Sequence, residues 1–379
     1  MNPFSNLIKK LSYKQILFLS LFVLFIVATV VFVHNNHFLY ERPIAKVLKT
    51  ELADKTEVEN PLGIKDHLST QRLLAEIKNG EEKGELIHLV NEFSASKAYD
   101  HEFKAGDELF VDIDSNVENK GELQGTIKDV KRDIYLLYVT WVFVLVLLIV
   151  GRKQGLFSII SLVINALLLS YALDVYLNNP HWSLLLICSI AVVLFTVISL
   201  LLVNGFNEKT YAAIIATLLG TFASLFIVWL VLWGTSEKGL RYEELQFITR
   251  PYQMVFLAGL FLGSLGAVMD VAITMSSSIF NMFEKNNSIP VKALIKSGME
   301  IGKDIMGTMT NILFFVYVSG SIPILILYFK NGSPLGFTLS MNLSLEMARA
   351  LAGGIGIVLT IPIGLYLTIF FINRKRAGL

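Results

Sequence analysis

A single cysteine, Cys188, excludes an internal disulfide, and it lies inside an apolar run. Charge is scarce as well: Lys, Arg, Asp and Glu make up 17% of the 379 residues, against about 25% in a typical soluble chain. The few charges nearly cancel, leaving a formal net charge of +1, so neither a basic patch nor a polyanionic partner such as nucleic acid is indicated. The chain has no G-x-x-x-x-G-K-[ST] loop to cradle a nucleotide and no H-E-x-x-H pair for zinc. His34, His37, His67, His88, His101 and His181 have no ligand-like spacing. Met269, Met275, Met306 and Met309 have no Cys or His beside them, which favours packing over a soft-metal path. No cofactor, metal centre or enzyme activity is expected.

Apolar sequence is abundant. Hydrophobic residues reach 54% and the mean hydropathy is +0.60, a balance that points to a membrane protein. A span needs roughly 20 mostly apolar residues. Candidate spans are 14–34, 133–151, 155–177, 182–204, 210–234, 252–281, 303–329 and 345–372. The expected fold class is therefore predominantly α-helical, with about eight transmembrane helices. The first span follows Lys9, Lys10 and Lys14, and "HNNHFLYER" after it offers no small-residue cleavage site, so 14–35 reads as an uncleaved signal anchor behind a cytoplasmic segment 1–13.

Residues 36–132 are polar and contain no span. "GELIHLVNEF" (84–93), "ELFVDID" (108–114) and "ELQGTIKDV" (122–130) read as strands, and 43–80 as partly helical. A small β-rich domain is expected here, outside the cytoplasm. Residues 133–379 form a seven-helix membrane domain with a short cytoplasmic C-terminus. Placing Lys9, Lys10, Lys14, Arg152, Lys153, Lys209, Lys285, Lys292, Lys296, Arg374, Lys375 and Arg376 inside satisfies the positive-inside bias. Lys238, Arg241 and Arg250 run against it, offset by Glu237, Glu243 and Glu244.

"GLFLGSLGAVMDVAITMSSSI" (259–279) carries the chemistry. Gly259, Gly263, Gly266, Asp270, Thr274 and Ser277 are three or four residues apart, so they share one face of a helix. Leu260, Leu262, Leu265, Val268, Met269, Val271 and Ile273 fill the other faces, which suit lipid or apolar protein, while the small polar face suits close helix packing. The next span repeats the pattern with Ser297, Glu300, Asp304, Thr308 and Asn311. The last span offers Glu346, Ala350, Gly353, Ile357, Thr360 and Gly364, with Arg349 near its outer end, and Asn165 is a lone amide within the third span. Between the two polar spans, "NNSIPVKALIKSG" (286–298) has a helix start at Ser288 and Pro290 and reads as a short interfacial helix.

An acid at mid-membrane is met by pairing, protonation or a wet cavity, and is a functional-site hypothesis by default. Asp270, Asp304, Asn311, Thr274, Ser277 and Thr308 are thus candidates for transport or ion binding. Gly259, Gly263, Gly266, Gly302 and Gly307 are candidates for helix packing. One reading is a transporter or permease for an ion or small solute; the alternative is an envelope sensory or assembly protein whose outer domain binds a partner. Expected partners are the lipid bilayer and a second membrane subunit or further copies of the chain. An intramembrane diaspartyl enzyme fits poorly: Asp270 sits in "AVMD" and Asp304 in "IGKD", without the motifs such enzymes carry.

The stretches "GLFLGSLGAVMDVAITMSSSI" and "SGMEIGKDIMGTMTNILFFVYVSGSIPIL" (297–325), with "NGEEKGELIHLVNEF" and "KAGDELFVDI" upstream, resemble the YibE/F family of multi-pass membrane proteins. The resemblance covers most of 75–375 and highlights Gly263, Gly266, Asp270, Gly302, Asp304, Gly307 and Asn311. It implies a bacterial cell-membrane protein with several spans and supplies no activity.

Overall fold

A computed structural model describes residues 13–59, 65–95, 100–114, 123–179, 181–236, 240–242 and 251–377. The segment 1–13 lies almost wholly outside these, as do Lys238, Arg250, Glu237, Glu243 and Glu244. The chain divides into two compact units, Met1–Val146 and Leu147–Leu379.

The first unit opens with helix α1 (Tyr13–His34), continues through a one-turn helix at Asn36–Leu39 and builds a closed five-stranded barrel. Its strands are β1 (Ile44–Glu59), β2 (Lys65–Ile77), β3 (Leu86–Ser94), β4 (Glu108–Ile113) and β5 (Leu123–Val130), in the order β1-β2-β3-β5-β4. All neighbours are antiparallel except β3 and β5, which pair in parallel over Ile87–Leu89. That order with one parallel closure is the topology of an OB-type barrel. Gly125 sits at the closure, where a Cβ would run into Asp112 O and the Ile87 side chain.

The three strands expected from sequence are present. The expected helical content of 43–80 is not found among its described residues, which form the paired strands β1 and β2. Alternating Ala45, Val47, Leu73, Ala75 and Ile77 are buried and join Ile87, Leu89, Leu109 and Val111 in the barrel core. Long-range pairing overrides the Lys, Glu and Leu content that favours a helix locally. Across one barrel end, buried Gln71 holds the loop bearing Phe103: its amide donates to Phe103 O (2.8 Å) and accepts from Phe103 N (3.0 Å). Asn91 donates to the same Gln71 oxygen (3.0 Å) and to His101 O (2.7 Å).

Where the barrel meets its helices, Lys131 is nearly enclosed, with a side chain only 3% exposed. Its Nζ reaches Glu108 (3.0 Å), Asp133 (3.0 Å) and Val33 O of α1 (3.2 Å). Asn36 and Tyr40 donate to Asp133, and His37 pairs with Glu108. Helix α2 (Asp133–Asn178) starts here, and its Trp141 donates to Thr29 and stands edge-on to Phe22 and Phe25 of α1.

Helix α2 is long, and its backbone breaks at Arg152 (φ 48, ψ −121). A Cβ on Gly155 would overlap Leu147 O. In a straight helix those residues stand about 12 Å apart, so the chain doubles back between them. The segments expected as spans 133–151 and 155–177 lie on either side of this break.

The second unit continues with α3 (Leu184–Asn204), α4 (Glu208–Thr235), α5 (Tyr252–Lys285), α6 (Val291–Lys330) and α7 (Leu335–Ala377). Among the described residues, six helices, α2 to α7, are long and apolar enough to cross a membrane. Helix α7 is the hub: α4, α5 and α6 all pack on it, and α4 packs on α5. Small residues permit this. Gly356 of α7 meets Val268 and Ser224, Gly364 meets Ala216 and Met275, and Gly353 meets Leu313 and Ser264. Buried hydroxyls then bond between or within helices: Ser224 to Ala352 O (2.7 Å), Thr368 to Ser276 (3.1 Å) and Thr360 to Gly356 O (2.7 Å). Asn165 of α2 donates to Ser199 of α3 (2.7 Å).

The expected interfacial helix at 286–298 is not a separate element. From Val291 onward it is the first two turns of α6, because Leu294 and Gly298 are buried, Gly298 against Ile279 and Leu365.

Candidate functional site

The six-residue stripe on α5 is real as a face, and it points outward. Leu260, Phe261, Ser264, Leu265, Val268, Val271, Ala272, Met275 and Ile279 are buried against the bundle. Gly259, Gly263, Gly266 and Asp270 are exposed, and Thr274 and Ser277 are half-buried. The apolar side, which sequence reasoning offers to lipid or to protein, is the one the bundle uses.

Asp270 makes no hydrogen bond or ion pair among the described residues. It lies close to the middle of α5. Near the end of that helix Glu284 faces Lys375 of α7 at 3.9 Å. Asp270 is about 21 Å along the axis from that charged end and about 27 Å from Tyr252, at 1.5 Å per residue.

Asp304, Thr308 and Asn311 are likewise exposed, on α6, together with Glu300, Lys303 and Gly307. Tyr317 lies against Gly263, and Ile279 against Gly298. Between those two contacts, Asp270 falls level with the Thr308 turn and Asp304 level with Thr274. No hydrogen bond joins the two stripes among the described residues; Thr308 bonds only its own helix, at Asp304 O (3.5 Å). Of the stripe glycines, Gly263 is packed by Tyr317 and Gly302 by Ile361. Gly259, Gly266 and Gly307 have no neighbour within 4 Å.

An uncompensated Asp at the centre of a lone helix costs about 2.5–3.5 kcal/mol to insert. Asp270 and Asp304 both lie on these open stripes.

Two family models match the chain. The YibE/F-like protein model matches residues 139–374, and the YibE/F family N-terminal domain model matches residues 38–130. The chain belongs to the YibE/F family. No curated protein and no solved structure matches it. The two matched regions divide this YibE/F chain as its architecture does, into the barrel and the helices that follow. Together with the six long apolar helices, they make it a membrane protein.

Two further features of this YibE/F protein lie outside the candidate site residues. Glu346 and Arg349 of α7 form a short ion pair, and the Arg349 guanidinium stands 5.4 Å over the Phe256 ring. The buried Tyr317 hydroxyl close by has no hydrogen-bond partner. The spacing of Glu346 and Arg349, three apart on one helix, was the available signal. In the barrel, a cleft of about 860 Å³ opens where β3 and β5 diverge, lined by Arg72, His88, Asn91, Glu92, Lys128 and Arg132 among others. Nothing in the local sequence announces a gap between strands that pair over three residues. Among the described residues, no three His, Cys, Asp or Glu side chains converge as metal ligands.

Proposed function

We propose that this protein is a transporter or permease for an ion or small solute in a bacterial cell membrane. It crosses eight times, with both termini in the cytoplasm and the barrel outside. The count treats α1 and the two arms of α2 as three crossings. The carrying observation is the outward-facing polar stripe of α5, with Asp270 at mid-length, beside a second polar stripe on α6. Asp270 is the central carrier or ligand group; Thr274, Ser277, Thr308 and Asn311 supply hydrogen bonds, and Asp304 flanks the inner end.

Flux in proteoliposomes across a panel of ions and small metabolites tests this reading. Asp270→Asn keeps shape and removes the charge, so it should lower flux at least about tenfold, as loss of an intramembrane ionisable group does when the group carries the cargo. Flux indifferent to the change removes Asp270 from the mechanism.

The barrel cleft favours a second reading, an envelope sensory or assembly protein whose outer domain binds a partner. It wins if Asp270→Asn leaves cellular function intact and substitutions at Arg72, Asn91 and Lys128 abolish it.

A further inference from the structure

The inner half of α6 presents an open polar face. Lys296, Glu300, Lys303, Asp304, Gly307, Thr308 and Asn311 are all exposed, and beyond them the exposed surface turns apolar at Ile312, Phe314, Phe315 and Val316. None of the four charged side chains has a partner among the described residues. Two are cationic and two anionic, so the patch is neutral as a whole. It is therefore complementary to a surface of mixed sign and not to a polyanion or polycation.

The arrangement is more specific than neutrality. Seen down the helix, Glu300, Gly307 and Asn311 form a central line, with Lys303 on one flank and Asp304 on the other. Around a two-fold axis parallel to the helix, the left flank of one copy meets the right flank of the other. The same operation keeps every residue at its own depth in the membrane. Lys303 and Asp304 share a depth, so two copies place Lys303 of each opposite Asp304 of the other. Gly307 lies on the central line with nothing within 4 Å of a Cβ, which leaves the backbones room to approach.

We infer that the occupant of this face is a second copy of the same chain, docked about a two-fold axis along the bundle through the Glu300–Asn311 face of α6. The inference does not depend on the transport reading: the dimer stands or falls on α6, whatever Asp270 does. If both hold, the dimer carries the Asp270 stripe beside its seam.

Cross-linking in native membranes tests the contact. In a Cys188→Ser full-length background, Gly307→Cys treated with a short bismaleimide should give a species of twice the chain mass. Val316→Cys, exposed on the opposite side of α6, should not. A cross-linked species of any other mass means that a different membrane subunit covers the face and overturns the inference. Absence of a Gly307→Cys product in folded protein, or equal products from both positions, overturns it too. Charge reversal provides the second arm, read as the monomer–dimer equilibrium in nanodiscs. Lys303→Asp alone and Asp304→Lys alone each place like charges together and should weaken association at least about tenfold. The double variant Lys303→Asp/Asp304→Lys restores the pairs and should recover dimerisation. Failure of the double variant to recover, with its fold intact, excludes the two-fold pairing.

Discussion

Removing the Lys131 ammonium should loosen the barrel more than any other single charge change in the first unit. Its Nζ is shared by Glu108, Asp133 and Val33 O, with the ammonium side chain 3% exposed and the two carboxylates 17% and 23%. Lys131→Met strands two carboxylates that have already lost most of their hydration. Breaking a buried pair in this way costs about 3–5 kcal/mol. The lower end applies here, because Asp133 keeps its bonds from Asn36 and Tyr40 and Glu108 keeps His37. A loss of about 3 kcal/mol speeds exchange through global barrel opening about a hundredfold, at 1.36 kcal/mol per decade. The assay is hydrogen–deuterium exchange on the full-length chain in detergent, read at Ile44–Val47 and Leu109–Val111. Lys131→Arg keeps the charge and should fall between the two. Adding Glu108→Gln to Lys131→Met should recover part of the loss. The pH dependence has a definite sign. Burial works to lower the Lys131 pKa, but hydrogen bonds to Asp133 and Glu108 outweigh it and leave the value raised. A raised cation contributes fully below its unfolded value, about 10.4, and the contribution fades as pH climbs through the folded one. Exchange in Lys131→Met within about twofold of the parent at neutral pH refutes the reasoning.

Gly220→Ala on α4 should push that helix off α7, because the new Cβ overlaps the Thr360 hydroxyl, itself buried and bonded to Gly356 O. Overpacking of this kind costs about 1–3 kcal/mol, visible as a lower melting temperature in detergent; an unchanged melting temperature counts against the close α4–α7 approach. Gln71→Ala removes three hydrogen bonds and leaves the buried Phe103 N–H without its acceptor. It should cost about 2–3 kcal/mol and raise protease cleavage near His101–Lys104 while α5 and α7 stay protected. Protection unchanged at that loop would show that Phe103 is held by its apolar contacts alone.

Periodicity made the two faces of α5 legible and left open which face the bundle would take. In a membrane the distinction is weak, since lipid tails and helix interiors are equally apolar. Leu260, Val268 and Met275 serve either solvent equally well. Only the partners decide, and α7 decides here: its Gly353, Gly356 and Gly364 make room for the apolar side of α5. The same logic separates Gly263 from Gly266. The two glycines are equivalent in spacing, yet one is filled by Tyr317 and the other stands open, because α6 reaches α5 at only one of them. In the barrel the short strands were readable from alternation. The pair β1 and β2 was not, because Glu51–Glu59 of β1 is exposed on both faces and carries no apolar period. What sequence did locate was the chemistry itself, the acids, amides and hydroxyls of α5 and α6. Their exposure follows from packing, and it moves the question from how Asp270 is buried within one chain to what covers it. Pairing, protonation or a water-filled path each meets the cost of an acid there. The Asp270→Asn flux assay tests the path, and the Gly307→Cys cross-link tests the neighbouring α6 face independently.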